Sequence, residues 1–348
     1  MGVIELLYYS GYRLKKAFAL RRQKTLPSWV ISIGNITAGG TGKTPAAIAV
    51  AEEALKRGLN PCILTRGYKG KLKGPCFVSR GEGPLLSAED AGDEPVLMAE
   101  KLKGVPIVKA GDRYEGGIFA IKELNPQTPF VFILDDGFQH WSLKRNMDIL
   151  LIDSRNPFEQ RKLLPLGVLR EPLSGMKRAD IIVLTKVPEG GSESPAVKSL
   201  TAEIRKYNRS ALVFLAGHRP SAVRKPSGEE VPIEELAGKD IYAFCGIGEP
   251  DSFRITLDSA GFRVKGFRAF SDHYRFKGRD IADIEAEARK CGAEWIMTTE
   301  KDIIRLKGMR LPESLVSVGI EFAAGEGFYE EIFRVNDLFQ GSMTPFGG

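Results

Sequence analysis

Thr37, Ala38, Gly39, Gly40, Thr41, Gly42, Lys43 and Thr44 form the run TAGGTGKT, with Pro45 directly behind it. The phosphate-loop pattern is Gly, four residues, then Gly-Lys-Ser/Thr. Its second half is intact here, and Thr37 stands in place of the first glycine. An apolar strand pattern precedes the run and a helical pattern follows it, which is the setting such a loop requires. In that setting backbone N–H groups and the helix N-terminus converge on phosphate oxygens. Lys43 would reach the β- and γ-phosphates, and the Thr44 hydroxyl would coordinate Mg²⁺. The first glycine shapes the loop entry and donates nothing from a side chain, so Thr37 is a tolerable departure. A glycine-rich turn without a ligand is the plainer alternative, which the intact Gly-Lys-Thr in this setting disfavours.

A nucleotide loop also needs an acidic strand end. The stretch FVFILDDGFQH ends an apolar run in Asp135-Asp136, a Walker B pattern whose carboxylates would hold Mg²⁺ or its water. Paired Asp can also simply open a turn. AGDEPVLMA adds Asp93-Glu94. Neighbouring side chains on an extended segment face opposite ways, so one carboxylate is expected to face the metal and the other a substrate hydroxyl. Arg113, in AGDRYEGG, is a candidate phosphate partner whose plainer reading is a surface Arg at a helix start. The three histidines are His140, His218 and His273; two lie in dense polar contexts, whereas His218, in AGHRP, looks incidental.

The elements that must carry these residues read as α/β. Strand patterns fall at 29–36, 62–67, 105–110, 130–136, 148–153 and 180–186, with helices at about 45–58, 89–103 and 113–124. Continuous apolar strands separated by helices predict a mostly parallel sheet covered on both faces. After a loop at 187–195 and a helix near 196–207, strands recur at 211–217, 240–247, 264–270, 294–299 and 315–322. The expectation is a P-loop NTPase-like domain over 27–208 and a smaller α/β domain over 209–325. A C-terminal helix and tail would occupy 326–348. The strands at 211–217 and 315–322 would pair as a short two-stranded linker, and the two sheets would not run into one.

The chain has 348 residues and 43% hydrophobic content, enough for a real core and too apolar for a disordered chain. A net charge of +6 does not call for a nucleic-acid partner, but it is unevenly placed. Arg13, Lys15, Lys16, Arg21, Arg22 and Lys24 face Glu5 alone, so five of the six net charges lie in the first 25 residues. Over 1–26 a basic helix is expected, with Ile4, Leu7, Leu14 and Phe18 on one face. It is either docked and exposed, or laid on an anionic membrane surface. Four scattered cysteines give no zinc or disulfide pattern, and a reducing compartment is the simple reading. No spanning segment or signal peptide is visible in the sequence.

IGNITAGGTGKTP, LTRGYKG, GDEPVLMA, ILDDGFQH, LLPLGVLREPL, FSDHYRF and TTEKD follow one another from about Trp29 to Asp302. Each is generic alone; in this order they resemble the tetraacyldisaccharide 4′-kinases, the lipid A 4′-kinases of Gram-negative bacteria. The family's loop carries Thr at the first-glycine position, as here. The resemblance implies an ATP- and Mg²⁺-dependent kinase acting on the 4′-hydroxyl of an acylated glucosamine disaccharide 1-phosphate. It would work as a monomer, peripherally bound at the cytoplasmic face of the inner membrane. It implies Asp93 as base, supported by His273, and Glu94, Asp135 and Asp136 on the metal side with Thr44. Arg113, Gln139, His140, Arg170 and Glu171 match family site positions. One departure is Glu159-Gln160-Arg161 before LLP, where the family commonly has Gly-Asn-Gly. A GTPase is disfavoured because TKVP has Pro188 where guanine selection needs Asp. A nucleotide-binding adaptor would have no need of Asp93, Glu94 or His273.

Overall fold

The computed structural model describes residues 2–188 and 190–334. The first half comprises α1 (Val3–Arg21), β1 (Trp29–Gly34), α2 (Lys43–Lys56), β2 (Pro61–Thr65), β3 (Cys76–Ser79), α3 (Ala88–Ala91), α4 (Asp93–Lys101), β4 (Ile107–Lys109), α5 (Arg113–Leu124), β5 (Val131–Asp135), β6 (Met147–Asp153), β7 (Ile181–Thr185) and α6 (Pro195–Tyr207). The second comprises β8 (Leu212–Arg224), β9 (Glu230–Val231), α7 (Ile233–Leu236), β10 (Asp240–Cys245), α8 (Pro250–Ser259), β11 (Arg263–Ala269), α9 (Gly278–Lys290), β12 (Trp295–Thr299), α10 (Glu300–Leu306), β13 (Leu315–Ala324) and α11 (Phe328–Phe333). Residues 335–348 of the expected C-terminal tail lie outside the described residues.

Strand order in the first half is β3-β4-β2-β5-β1-β6-β7, all parallel except β3. The central strands are continuously apolar because both faces are covered. Ile31 and Ile33 of β1 join one core with Ala46 and Val50 of α2 and Met98 of α4. Val30, one residue out of phase, joins the opposite core with Phe132, Leu134 and Ala120 of α5. In the second half β11-β10-β12-β13 are parallel neighbours. One side of these strands packs on Phe253 and Leu257 of α8, the other on Ile281 and Ile284 of α9.

The segments expected at 211–217 and 315–322 belong to strands that do pair, β8 and β13, but the pairing runs between Ala216–Arg224 and Ser317–Ala324, and the two sheets are not separate. Strand β8 is 13 residues long, roughly 40 Å at ~3.3 Å per residue. Its first residues pair in parallel with β7, and from Ala216 to Arg224 it pairs antiparallel with β13. Among the described residues the ladder therefore runs unbroken through twelve strands, with β9 paired to β8 off this path. The expected break is absent because one strand is long enough to serve both sheets.

The helix expected at 89–103 is divided at Gly92 (φ 99°), so Asp93 and Glu94 open α4 and are not extended. Glu159 (φ 34°) and Arg161 (φ 54°) adopt left-handed backbone at the positions where the related pattern has glycines. Such backbone costs these residues conformational energy that glycine avoids. Helix α1 docks through polar contacts: Tyr8 Oη donates to the Arg170 carbonyl at 2.9 Å, Tyr12 Oη to Glu171 at 3.1 Å, and the Leu163 N–H to Glu5 at 3.1 Å. The apolar face predicted from spacing points outward, with Ile4, Leu7, Leu14 and Phe18 exposed by 53, 69, 73 and 58%.

The end of β1 is tightly built. A Cβ at Gly34 would lie 2.6 Å from Phe138 Cβ and 2.7 Å from the Phe138 nitrogen. Gly34→Ala is expected to destabilise the protein by about 1–3 kcal/mol, the usual cost of overpacking a core. Urea denaturation followed by tryptophan fluorescence measures it, and an unchanged midpoint would contradict this account.

Candidate active site

The site lies along the C-terminal ends of the parallel strands, where open α/β sheets expose loop backbone and helix N-termini. The loop after β1 carries Gly39 (φ 122°) and Gly42 (φ 85°) in conformations that suit glycine, and α2 begins at Lys43. The loop is pinned from below: the Ala38 N–H donates to the Val168 carbonyl at 2.7 Å, and Thr185 Oγ1 to the Thr41 carbonyl at 3.0 Å. Lys43 Nζ reaches the Gly39 carbonyl at 3.5 Å and Asp136 at 3.9 Å. The run Thr37–Thr44 thus forms a glycine turn leading into α2, with Thr37, Thr41 and Thr44 buried.

Asp135 and Asp136 end β5 beside this loop and differ sharply. Asp135 is buried, and burial with Glu94 and Asp136 nearby raises its pKa to about 7. Thr65 Oγ1 donates to its Oδ2 at 3.0 Å, while its buried Oδ1 has no partner among the described residues. Asp136 sits in left-handed backbone (φ 51°) and accepts two hydrogen bonds from Arg170 Nη1 at 2.9 Å. Burial pushes its pKa up, but Lys43 and Arg170 hold it below the ordinary carboxylate value. An unpartnered buried carboxylate oxygen among acidic neighbours fits a hard cation. Among the described residues no three His, Cys, Asp or Glu side chains group to hold an ion alone. Mg²⁺ needs only one or two carboxylates when phosphates and waters complete its shell.

Arg113 is not the surface residue its position suggested. It is buried, with Nη1 donating to the Ala110 and Gly111 carbonyls at 3.4 and 3.1 Å. His140 accepts from the Arg113 N–H at 3.3 Å, and burial and Arg113 lower its pKa to about 4, so it stays neutral at the start of α5. Gln139 Nε2 donates to the Asn35 carbonyl and to Glu171 Oε1, both at 2.7 Å. Glu171 is fully buried and doubly bound by Arg178. These residues brace the floor of the site, and Gln139, His140 and Glu171 hold other protein groups.

The second half of the chain closes over this floor. His273 Nδ1 lies 2.8 Å from Asp93 Oδ2, and Arg305 Nε donates to the same oxygen at 2.7 Å. Burial pushes the Asp93 pKa up, but His273 and Arg305 keep it below its usual value. Glu94 is held low by Lys301, with which it pairs. Asp93 and Glu94 do not alternate along an extended segment, the arrangement the sequence pattern predicts. The start of α4 separates them instead, and each meets a different residue of the second half.

Four further side chains border the site. Glu249, just before α8, accepts the Gly40 N–H at 2.9 Å and pairs with Lys186, which also pairs with Asp153. Its carboxylate thus occupies an amide of the phosphate cradle. Lys301 and Arg305 lie in and beyond TTEKD, a stretch with no local sign of a partner some two hundred residues away. His218 is not incidental: a Cβ at Gly42 would meet its Nε2 at 2.3 Å, so the ring lies directly on the loop. Burial and Lys186 lower its pKa to about 4.

The sequence profile of the family described as Tetraacyldisaccharide-1-P 4′-kinase matches residues 1–335. A Tetraacyldisaccharide 4′-kinase of Syntrophus aciditrophicus (strain SB) is 40% identical over 344 residues, covering 94% of this chain and 90% of its own. One from Geobacter metallireducens is 38% identical over 329 residues, covering 93% and 91%. A crystal structure of LpxK from Aquifex aeolicus, described as an "apo" form in complex with ATP, is similar over 97% of both chains, with a TM-score of 0.75 and 33% identity.

A phosphate bound at this loop would have to displace Glu249 from the Gly40 amide. Glu249→Ala frees that amide and leaves Lys186 paired with Asp153. An amide hydrogen bond contributes about 1 kcal/mol net, so calorimetric titration with tripolyphosphate or ATP should give about fivefold tighter binding. Weaker or unchanged binding would count against competition.

Proposed function

The chain belongs to the tetraacyldisaccharide-1-P 4′-kinase family, and from that premise we propose that it transfers the γ-phosphate of ATP to the 4′-hydroxyl of a tetraacylated glucosamine disaccharide 1-phosphate. The observation that carries this reading is the 2.8 Å contact between His273 Nδ1 and Asp93 Oδ2 beside the phosphate loop. A nucleotide-binding adaptor has no use for an oriented base, whereas a kinase needs acceptor-side groups as well as a cradle.

In this reading the loop amides, Lys43 and the α2 N-terminus bind the ATP phosphates, and Thr44, Asp135 and Asp136 would hold Mg²⁺ with Glu94 beside them. Bound with ATP, Mg²⁺ neutralises charge on the β- and γ-phosphates. Phosphoryl transfer depends chiefly on positioning and on stabilising charge at the transferring group. Arg113 and Arg170 supply positive potential there. The acceptor hydroxyl loses its proton late, so a weak base serves, and Asp93 is held ionised by its partners. His273 orients it.

The outward apolar residues of α1 and the basic residues beside them suit an anionic lipid surface. No described helix is long and apolar enough to cross a membrane. The proposal is therefore a peripheral, monomeric protein on the cytoplasmic face of the inner membrane. Residues 1–26 form the membrane helix, 27–208 the kinase domain and 209–325 the second domain, with 326–348 as the C-terminal segment.

Lys43→Ala removes a charge-assisted phosphate contact of about 1.5–3 kcal/mol and is expected to raise the ATP KM and lower kcat for 4′-phosphorylation. Wild-type kinetics with the disaccharide lipid would rule out TAGGTGKT as the cradle. Deleting residues 1–24 should weaken sedimentation with anionic vesicles far more than with neutral ones, and the difference should shrink at high salt. Equal sedimentation of the full and shortened chains would return α1 to a purely structural role.

A further inference from the structure

We infer that Arg305 is a positioning residue of the phosphoryl transfer, holding one oxygen of Asp93 so that the other is presented to the acceptor hydroxyl. The inference rests on the reading of Asp93 as the base. Both donors that reach Asp93 converge on one atom: His273 Nδ1 lies 2.8 Å from Oδ2 and Arg305 Nε 2.7 Å. Oδ1 has no hydrogen-bond partner among the described residues, and the side chain keeps 14% of its exposure. The carboxylate thus has an anchored end and an available end, and Oδ1 is the oxygen an incoming hydroxyl meets.

A single donor would not achieve this. One hydrogen bond leaves the carboxylate plane free to turn about its Cβ–Cγ bond, and His273 sits in a loop residue of left-handed backbone (φ 59°). Arg305 approaches from a regular helix, α10, which packs against α4. Its own footing is rigid. Nη1 donates to Asp302 Oδ1 at 2.8 Å and to the Gly246 carbonyl at 2.7 Å. Asp302 is fully buried and accepts from the Gly246 N–H at 3.1 Å and Thr299 Oγ1 at 2.7 Å. Arg305 Nη2 also lies 3.2 Å from His273 Nδ1, so the guanidinium borders both members of the pair.

The residue type follows from this geometry. A guanidinium is a planar fork with several fixed donors, whereas an ammonium is a compact point charge. Only the fork can meet Asp93, Asp302 and the Gly246 carbonyl together. Two donors on Oδ2 make the carboxylate a weaker base, an acceptable loss when the proton leaves late and alignment decides the rate. Misplacement of a reacting group by about 1 Å costs on the order of 100-fold.

The test compares Arg305→Ala, Arg305→Lys, Asp93→Asn and the Asp93→Asn/Arg305→Ala double variant in the full chain. Steady-state and single-turnover rates are measured with ATP and the disaccharide lipid, and folding is checked by thermal unfolding. Arg305→Ala should lower kcat by about 100-fold with the ATP KM within about threefold, since the arginine touches no part of the cradle. Low millimolar guanidinium should restore part of the rate. Arg305→Lys should retain more activity than Arg305→Ala and remain impaired; it carries the test if the alanine variant fails to unfold cooperatively. The double variant should be no slower than Asp93→Asn, because an arginine that acts through Asp93 has nothing left to position. A near-wild-type rate in Arg305→Ala or Arg305→Lys, with Asp93→Asn impaired, would overturn the inference alone. So would an equal further loss in the double variant, which marks a purely structural role. A near-wild-type rate in Asp93→Asn would instead remove the base reading, and the inference with it.

Discussion

The unbroken ladder through β8 is the constraint on which the site depends. Buried backbone donors and acceptors must be paired, and β8 satisfies β7 with its first residues and β13 with the rest. The second half of the chain is therefore tied to the first through main-chain hydrogen bonds as well as through side chains. Glu249, in the loop after β10, meets the Gly40 amide, and His218 on β8 lies against Gly42. From that arrangement Glu249, His273, Lys301 and Arg305 all come within hydrogen-bonding distance of groups in the first half.

Charge is what this arrangement gathers. Glu94, Asp136, Asp153 and Glu249 each face a cation, respectively Lys301, Arg170, Lys186 and again Lys186. Of these carboxylates only Asp153 is buried; the other three keep about a third or more of their exposure, so solvent screens their pairs. Most of the charges are thus held in internal pairs, and Asp135 alone of the site's carboxylates presents a buried oxygen without one. Left-handed backbone at Asp136, Lys186 and His273 belongs to the same economy, since strained conformations gather where function fixes a side chain.

The binding and reacting parts of the site come from different stretches of chain and different physics. The cradle is made of backbone amides and needs glycine and a helix start. The acceptor side is made of side chains that only an assembled cleft brings together. Helix α1 adds a third element: it docks by tyrosines and Glu5 and leaves its aliphatic residues outside. That inversion of the usual amphipathic order fits a protein that works on an anionic lipid.

Local patterns sufficed for much of this. The continuous apolar strands, the TAGGTGKT loop and the acidic end of β5 are short-range signals, because alternation, glycine torsions and helix starts are decided within a few residues. They made the α/β class, the glycine turn before α2 and the acidic end of β5 legible from the chain alone, and the ordered motifs pointed to the family. Tertiary structure alone decided that Asp93 and Glu94 open a helix, that Arg113 is buried, and that the two sheets are continuous. It also supplied Glu249, Lys301, Arg305 and His218, which carry no local mark of their partners. The reason is physical: a hydrogen bond such as Arg305 to Asp93 spans 212 residues of sequence, and nothing in the propensity or spacing of either neighbourhood depends on the other until folding places them side by side.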